Sequence, residues 1–419
     1  MRRSTSGLPW VLLIATGLLV VGAGLQSALL GVRAVAEGFD PLVVGVLAAA
    51  YFAGFSVGAL RAPAWIRRVG HIRAFAALAS TASVIVLVHA LAVHPVLWVG
   101  GRFASGICVG GLLVVVESWL TTVSTNENRG VVLAAYMIVT TAAYAGGQLL
   151  LATAPAKEFT LFAIVSAVIS LSLLPVLMQT GPEPRIEEAT PLPIRTLIAG
   201  SPVGAITAVA GGAAWGIIAG LGAPWAAGLG VSSKRATVIA AALVAGGLVS
   251  QWPIGKISDR VDRRSLVAVV AALLVGAAVW LATSTSAPFP ILVLAAAAVG
   301  AAGLPLYSLA ISVMTERLPT DQLVPASATI MLLSSAGSAA GPLIAAEATR
   351  ASTANGLPVT VAAVAAVTAV ATAIVTWRRS DQPRREVQLP TLPPRTAVAA
   401  ARMTGLVRRR PSSRPPPGV

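Results

Sequence analysis

Twelve blocks of about 20 apolar residues follow one another along most of the chain, and each is long enough to cross a lipid bilayer as a helix. Residues that favour helix ends support this division. At Asp40-Pro41 the aspartate can cap a helix and the proline can take the helix's first position. The sequence therefore predicts an all-α membrane protein with twelve transmembrane helices. The blocks are residues 8–32, 42–64, 72–93, 96–124, 131–153, 159–179, 202–221, 236–257, 266–283, 291–315, 326–348 and 357–377.

Composition excludes a water-soluble fold. Hydrophobic residues make up 56% of the chain and charged residues only 11%, which is too little polar surface for solution. The net charge of +15 does not indicate nucleic-acid binding, because the basic residues lie in short loops between apolar blocks. The single cysteine, Cys108, allows no intrachain disulfide and is interpreted as a packing residue. The first block follows Arg2 and Arg3, but it is too long for a signal peptide and lacks a cleavage site, so we predict a retained helix.

An internal repeat divides the chain. The basic segment RRVGHIR at 67–73 matches GKISDRVDRR at 255–264 with an offset of 192 residues, and each follows an apolar block with an Ala-Gly pair. Many secondary transporters build a substrate path between two such repeats. We predict a six-helix bundle at 1–179, a cytoplasmic linker at 180–200, a second bundle at 201–377 and a disordered tail at 378–419.

The tail carries ten arginines and eight prolines and little that could form a core. It has two interpretations. It could bind anionic lipids of the inner leaflet, or it could be a solvated segment that reinforces topology, and we favour the second.

Basic residues fix the predicted orientation. Fourteen basic residues lie in the N-terminus, the linker and the loops on the same side of the membrane as the N-terminus, and five lie in the loops on the opposite side. Because basic residues are concentrated in cytoplasmic loops, this places both termini in the cytoplasm of an inner-membrane protein. The fourteen are Arg2, Arg3, Arg61, Arg67, Arg68, Arg73, Arg129, Arg185, Arg195, Lys256, Arg260, Arg263, Arg264 and Arg317, and the five are Arg33, Lys157, Lys234, Arg235 and Arg350.

Two loops and one helix resemble the major facilitator superfamily. The superfamily's loop signature, Gly-x-x-x-Asp-Arg-x-Gly-Arg-Arg, is kept in the second half except that Asp262 replaces its second glycine. The matching residues are Gly255, Asp259, Arg260, Arg263 and Arg264. In the first half Pro63 and Arg67 replace the glycine and the aspartate, while Arg68 and Gly70 are kept.

The fourth block adds a second similarity. Arg102 and Gly106 match the superfamily's Arg-x-x-Gln-Gly motif, with Ser105 in place of glutamine. ESWL at 117–120 and NENRG at 126–130 are similar to a little-characterised bacterial branch, the YcaD-type transporters. The resemblance covers the chain up to about Trp377 and implies twelve helices around a central cavity.

Cytoplasmic gate residues are predicted in the basic segments. Gly255 would allow close helix approach, and Asp259 with Arg260 would form a latch that pairs with other helices when this side closes. The alternative is that the basic residues of these loops only set the membrane orientation. For Arg263 and Arg264 the gating role and the orientation role are equally favoured. The gate candidates are Gly255, Asp259, Arg260, Arg263, Glu117, Arg67 and Arg68.

Charged residues inside a span are costly and usually functional, which selects Arg102 and Glu117 in the fourth block. Fifteen helical residues separate them by ~22 Å, so they cannot pair. We assign Arg102 to the cavity and Glu117 to the gate near the first basic loop. The cavity candidates are Arg102, Gln26, Tyr51, Gln148, Gln251 and Tyr307, and for each an interhelical hydrogen bond is the alternative role.

The sequence is compatible with three classes of function. A secondary active transporter of a small solute, with proton coupling and a monomeric state, fits best, and its partners are the solute, protons and membrane lipids rather than nucleic acid. A solute sensor on the same fold is the alternative. An embedded enzyme is disfavoured, because the sequence offers no phosphate loop, catalytic cluster, metal site or cofactor motif.

Overall fold

The computed structural model describes residues 8–124, 129–178, 194–316 and 323–380, and these residues form twelve helices that are long and apolar enough to span a membrane. This confirms the predicted fold class. Numbered in chain order, the spans begin with Leu8–Ala36, Pro41–Val69, His71–Leu91, Pro95–Val123, Arg129–Leu149 with a short 3-10 turn at Leu150–Thr153, and Phe159–Leu171 with Leu173–Leu177. Spans 7 to 12 are Pro202–Gly228, Ser233–Ser258, Arg263–Thr283, Phe289–Gly303 with Pro305–Thr315, Leu323–Ala351 and Gly356–Ser380.

The predicted basic loops are mostly helix ends. Arg67 and Arg68 lie in the last turn of span 2, and Gly70 alone, with a φ of 85°, separates spans 2 and 3. Glycine suits this turn because other residues rarely adopt a positive φ. The prediction of a seven-residue loop was wrong here, because the helix continues beyond the apolar block.

Local capping elsewhere follows the sequence. Asp40 caps span 2 by accepting a hydrogen bond from the Leu42 amide at 2.8 Å, and Pro41 is its first residue, as predicted. Asp262 caps span 9 by accepting from the Ser265 amide at 2.8 Å. Both carboxylates satisfy amides that the first turn of a helix leaves without partners.

The internal repeat is visible in how helices pack within each half of the chain (spans 1–6 and spans 7–12). A Cβ on Gly54 would collide with the carbonyl of Phe103 in span 4. A Cβ on Gly246, the equivalent position in the second half, would collide with the carbonyl of Ala297 in span 10. Only a residue without a side chain allows the two backbones to approach this closely.

Spans 1 and 5 repeat the same relation in spans 7 and 11. Gly24 lies against the carbonyl of Tyr144, and its equivalent Gly216 lies against the carbonyl of Ser338. We call these approaches of a glycine to a backbone in the same half glycine contacts. Among the described residues, the other glycines that make them are Gly58, Gly106, Gly110, Gly147, Gly211, Gly212, Gly300, Gly337, Gly341 and Gly356.

The two halves meet on the side of the helix bundle where Asp40 lies. We call this side the Asp40 end, and we call the opposite side, where Asp259 lies, the Asp259 end. Gly45 in span 2 packs against Pro342 and Ala346 in span 11. Gly31 in span 1 packs against the ring of Pro224 in span 7. Beside this contact, aliphatic residues of spans 2 and 11 line an open cleft of about 480 Å³.

The predicted domain boundaries stay predictions. The described part of the 180–200 segment includes a short helix, Ile194–Gly200, ahead of span 7. The tail predicted at 378–419 lies outside the described residues, apart from the end of span 12.

Candidate functional site

Arg102 is the centre of a buried polar cluster in the first half. Its side chain is 3% exposed, and its guanidinium lies over the ring of Tyr51 at 4.2 Å from the centroid. The Nη1 atom has no hydrogen-bond partner, and no ion pair joins Arg102 to any carboxylate of the described residues. A buried cation in this condition is costly, which marks the position as functional.

Two glutamines predicted for the cavity lie near this level. Gln26 donates from Nε2 to Ser105 Oγ at 3.2 Å, and Ser105 is one turn along span 4 from Arg102. Gln148 in span 5 is fully buried, yet neither its Nε2 nor its Oε1 has a partner. Counted along the helices, Arg102, Gln26, Tyr51 and Gln148 lie between ~7 and ~15 Å from the Asp40 end.

A layer that sequence reasoning missed joins the two halves beside this cluster. Ser27 Oγ and Tyr144 Oη both donate to the carbonyl of Ala219 in span 7, each at 3.0 Å. The ring of Tyr144 packs on Trp215 with centroids 5.3 Å apart. Ser27 and Ala219 are 192 residues apart, which is the offset of the repeat. This hydrogen bond therefore joins equivalent positions of the two halves.

An ion-pair network lies at the surface of the Asp40 end. Arg350 in span 11 lies 3.4 Å from Asp40 at the start of span 2, and 3.2 Å from Glu347 in its own helix. The Arg350–Asp40 pair therefore crosses between the halves. These groups are roughly half exposed, so each pair contributes little to stability.

Glu117 lies toward the opposite end of span 4 and is exposed, although it is inside a predicted span. Buried Tyr136 of span 5 donates a hydrogen bond to its Oε1 at 2.7 Å. Among the cavity candidates of the second half, Tyr307 lies in span 10 within electrostatic range of Glu117, and Gln251 is half-buried in span 8.

The residues that match the loop signature are exposed or partly exposed at the Asp259 end. Asp259 is 77% exposed and lies 3.8 Å from Arg263, one turn along the chain. Arg263 also donates to the carbonyl of Ser312 in span 10 at 3.0 Å. Its repeat equivalent, His71, makes the matching contact to Ser118 Oγ in span 4 at 3.1 Å. Each half therefore ties the start of its third helix to its fourth.

Gly255 does not make the close approach that was predicted for it. Open space surrounds the position of its Cβ, because this last turn of span 8 extends beyond the packed part of the bundle. Arg260, Arg67 and Arg68 are likewise exposed at this end. The gate assignments of these residues stay predictions.

The chain is similar to membrane transporters in both sequence and structure. The sequence model of the Major Facilitator Superfamily matches residues 203–413, about half of the chain. An uncharacterized MFS-type transporter of Enterobacter sp. (strain 638) is 30% identical over 341 residues, which cover 79% of this chain and 87% of that protein. The uncharacterized MFS-type transporter YcaD of Escherichia fergusonii is 28% identical over 338 residues, with the same two coverages of 79% and 87%.

Solved structures share the fold at low sequence identity. A mutant of the nucleoside transporter NupG has a TM-score of 0.74 and 12% identity, and the match covers 88% of this chain and 99% of that one. A D-xylose-proton symporter has a TM-score of 0.65 and 15% identity, with coverages of 86% and 97%.

Proposed function

The chain belongs to the Major Facilitator Superfamily of membrane transporters, and we propose that it moves a small solute across the cytoplasmic membrane by alternating access. One observation carries this proposal. The two halves are joined at the Asp40 end by the hydrogen bonds from Ser27 and Tyr144 to Ala219, and a buried polar cluster with unpartnered groups lies beside this joined layer. A polar site beside the junction of two repeats, sealed on one side, fits one state of a rocking transporter.

We assign the Asp259 end to the cytoplasm, because the basic residues are concentrated there. The conformation would then be inward-open. Contacts that seal the outside would be the Ser27 and Tyr144 hydrogen bonds to Ala219 and the Arg350–Asp40 pair.

Single cysteines test this orientation. In a Cys108→Ser background, which removes the buried native thiol, Glu187→Cys and Thr353→Cys are expected to react with an impermeant maleimide from opposite sides. Thr353 is exposed at the Asp40 end and should react from outside, whereas Glu187 should react only after the membrane is permeabilised. Reaction of both from outside would contradict the orientation and the position of the linker.

Proton coupling is assigned to Glu117. It is the one carboxylate of the described residues that lies well inside a span, about 9 Å from the Asp259 end of its helix. The hydrogen bond from Tyr136 holds its orientation. Because Tyr307 of the second half lies within electrostatic range of Glu117, a change of charge at Glu117 would act across the two halves.

Replacing Glu117 by glutamine is expected to leave solute binding intact and to slow gradient-driven transport at least tenfold, which corresponds to ~1.4 kcal/mol or more of barrier. Glutamine keeps an acceptor for Tyr136 but cannot take up a proton. In proteoliposomes, uptake driven by a pH gradient should be lost while solute exchange without a gradient persists. The solute is chosen beforehand by a thermal-shift screen of purified protein, since a ligand of the folded state raises its apparent stability.

Tyr136→Phe is the matched control for Glu117→Gln. It removes the hydrogen-bond donor and keeps the carboxylate, so gradient-driven uptake should persist. Normal gradient-driven uptake by the Glu117→Gln variant would contradict the assignment. Binding of solutes without any flux in the native protein would instead favour a sensor over a transporter.

A further inference from the structure

We propose that the cleft between spans 2 and 11 holds one acyl chain of a membrane lipid, and that this chain favours the conformation that is closed at the Asp40 end. Binding of the chain does not depend on the transport function, whereas its effect on conformation rests on the proposed alternating access.

The cleft faces away from the centre of the helix bundle. Span 7 is buried along most of its length, and Ala48 and Phe52 of span 2 pack against its Gly220. Span 11 packs on the same helix through Gly337 and Gly341. At ~100° per residue, the faces of spans 2 and 11 that line the cleft are each turned by ~130° from these contacts. The cleft therefore opens toward the lipid and not toward span 7.

The depth and the walls of the cleft suit hydrocarbon. Its residues on span 2 lie between ~8 and ~18 Å along the helix from Pro41, which is within the apolar core of a bilayer. Every residue that lines the cleft is aliphatic, so the lining side chains offer no hydrogen bonds. Most are alanines, three from each helix: Ala49, Ala50, Ala53, Ala336, Ala339 and Ala340. In the orientation proposed above, the chain belongs to a lipid of the outer leaflet.

Large apolar side chains continue the same two faces beyond the cleft. On span 2, Val57 and Leu60 lie four and seven residues after Ala53 and are 39% and 51% exposed. On span 11, Ile344 follows Leu343 of the cleft and is 57% exposed. Exposure of such side chains to water is unfavourable, whereas exposure to acyl chains is not. The cleft is therefore part of a surface that contacts lipid.

Both halves of the chain contribute walls to the cleft, which gives a bound lipid its effect on conformation. Toward the Asp40 end the cleft is continuous with the contact of Gly45 on Pro342 and Ala346. An acyl chain in the cleft touches both halves only while they stay together here, because opening the Asp40 end moves spans 2 and 11 apart. A ligand that binds one conformation more tightly shifts the equilibrium toward that conformation. The bound chain should therefore oppose opening of the Asp40 end.

Photocrosslinking tests the binding of the chain. Purified protein in detergent is titrated with a phosphatidylglycerol that carries a diazirine at the middle of one acyl chain, and the labelled residues are identified by mass spectrometry. Labelling at 46–53 and 336–343 is expected to saturate at low lipid concentration. The reference surface is the exposed face of span 9 around Val269 and Leu273, where labelling should rise in proportion to the lipid over the whole range.

Variants that fill the cleft locate the bound chain. Ala340 is exposed in the cleft, so the ring in Ala340→Phe has room to enter it. The saturable labelling should then weaken at least about tenfold, which is the loss expected when about two methylene groups of the chain lose their contacts. Leu273→Phe adds a ring to the exposed face of span 9 and should leave the labelling unchanged. If Ala340→Phe does not fold, Ala53→Leu fills the cleft from the opposite wall with a smaller side chain.

Spin labels measure the effect on conformation. In the Cys108→Ser background, labels at Glu158→Cys and Thr353→Cys report the separation of the two halves at the Asp40 end, where both positions are exposed. Dioleoyl phosphatidylglycerol is expected to increase the fraction of short distances. Glycerophosphoglycerol, which is the same headgroup without acyl chains, should have no effect. The response to the lipid should disappear when Ala340→Phe is added.

Labelling of the cleft in proportion to the lipid at every concentration, as on the reference surface, would overturn the proposal, because only exchanging bulk lipid would then cover the cleft. Saturable labelling that both filling variants leave unchanged would overturn it as well. Distances that do not respond to saturating lipid would contradict the effect on conformation. Failure of the transport function looks different, because solute exchange in proteoliposomes would be absent while the saturable labelling persists.

Discussion

Replacing Gly110 by alanine is expected to destabilise the protein so far that little of it survives extraction from the membrane. The new Cβ would lie on the carbonyl of Phe55, where spans 2 and 4 cross. A backbone atom cannot rotate away as the end of a side chain can, so the two helices must separate. Overpacking typically costs ~1–3 kcal/mol, and the cost here should be at the upper end because Phe55 is fixed within a helix. Gly58, which meets the Ile107 carbonyl across the same crossing, should respond in the same way.

Gly100 in the same helix is the matched control. Nothing lies within 4 Å of the position of its Cβ, so Gly100→Ala adds the same atom to the same span without a collision. It should be neutral or slightly stabilising, since alanine is favoured over glycine in a helix by ~1 kcal/mol. Fluorescence-detected size exclusion after heating would measure both. Equal behaviour of the two variants would mean that the close crossing of spans 2 and 4 is not essential.

Replacing Asp259 by asparagine is expected to cut transport at least tenfold, or ~1.4 kcal/mol or more of barrier, while the protein stays folded. In the present conformation Asp259 is exposed and its ion pair with Arg263 is a weak one along a single turn. Losing that pair should barely change stability. The expected loss arises in the opposite conformation, where we propose that the carboxylate pairs with groups of other helices as this end closes. Solute exchange in proteoliposomes and the thermal stability of the variant measure the two effects separately.

Asp262→Asn is the control, because it removes the same charge from the same loop. Asp262 caps span 9, and asparagine caps a helix about as well as aspartate, so folding and transport should both be kept. Normal transport by the Asp259→Asn variant would reduce the segment to a topological anchor. Equal losses in both variants would show that overall loop charge matters rather than a latch at Asp259.

The sequence was sufficient for the twelve spans because crossing a bilayer requires long apolar helices, and their lengths can be read directly. The offset of 192 residues likewise predicted the symmetry that the glycine contacts at Gly54 and Gly246 confirm. Helix ends were less predictable. Arg67 and Arg68 are polar and mark the membrane boundary, but a helix does not have to stop where its apolar stretch does.

The site was predictable only in part, for a physical reason. Polar residues at depth can be recognised from the sequence, and this identified Arg102, Gln26 and Gln148, which the structure places at similar depth in the first half. Contacts between distant segments cannot be recognised in this way. Tyr144 and Trp215 look like ordinary aromatic residues of a membrane helix, and only folding brings the Tyr144 hydroxyl to the Ala219 carbonyl.

Glycine contacts and the alanine-lined cleft have different mechanical consequences. Within each half, helix backbones interlock so closely that one helix cannot slide past another without lifting off it. Beside the Gly45–Pro342 contact, spans 2 and 11 present short aliphatic side chains, with shallow relief and few rotamers to rearrange. Such surfaces can shift past each other with little rearrangement of side chains. The activation enthalpy of the change between inward-open and outward-open states should then come from breaking the polar contacts at the closed ends, and not from repacking side chains along the whole interface.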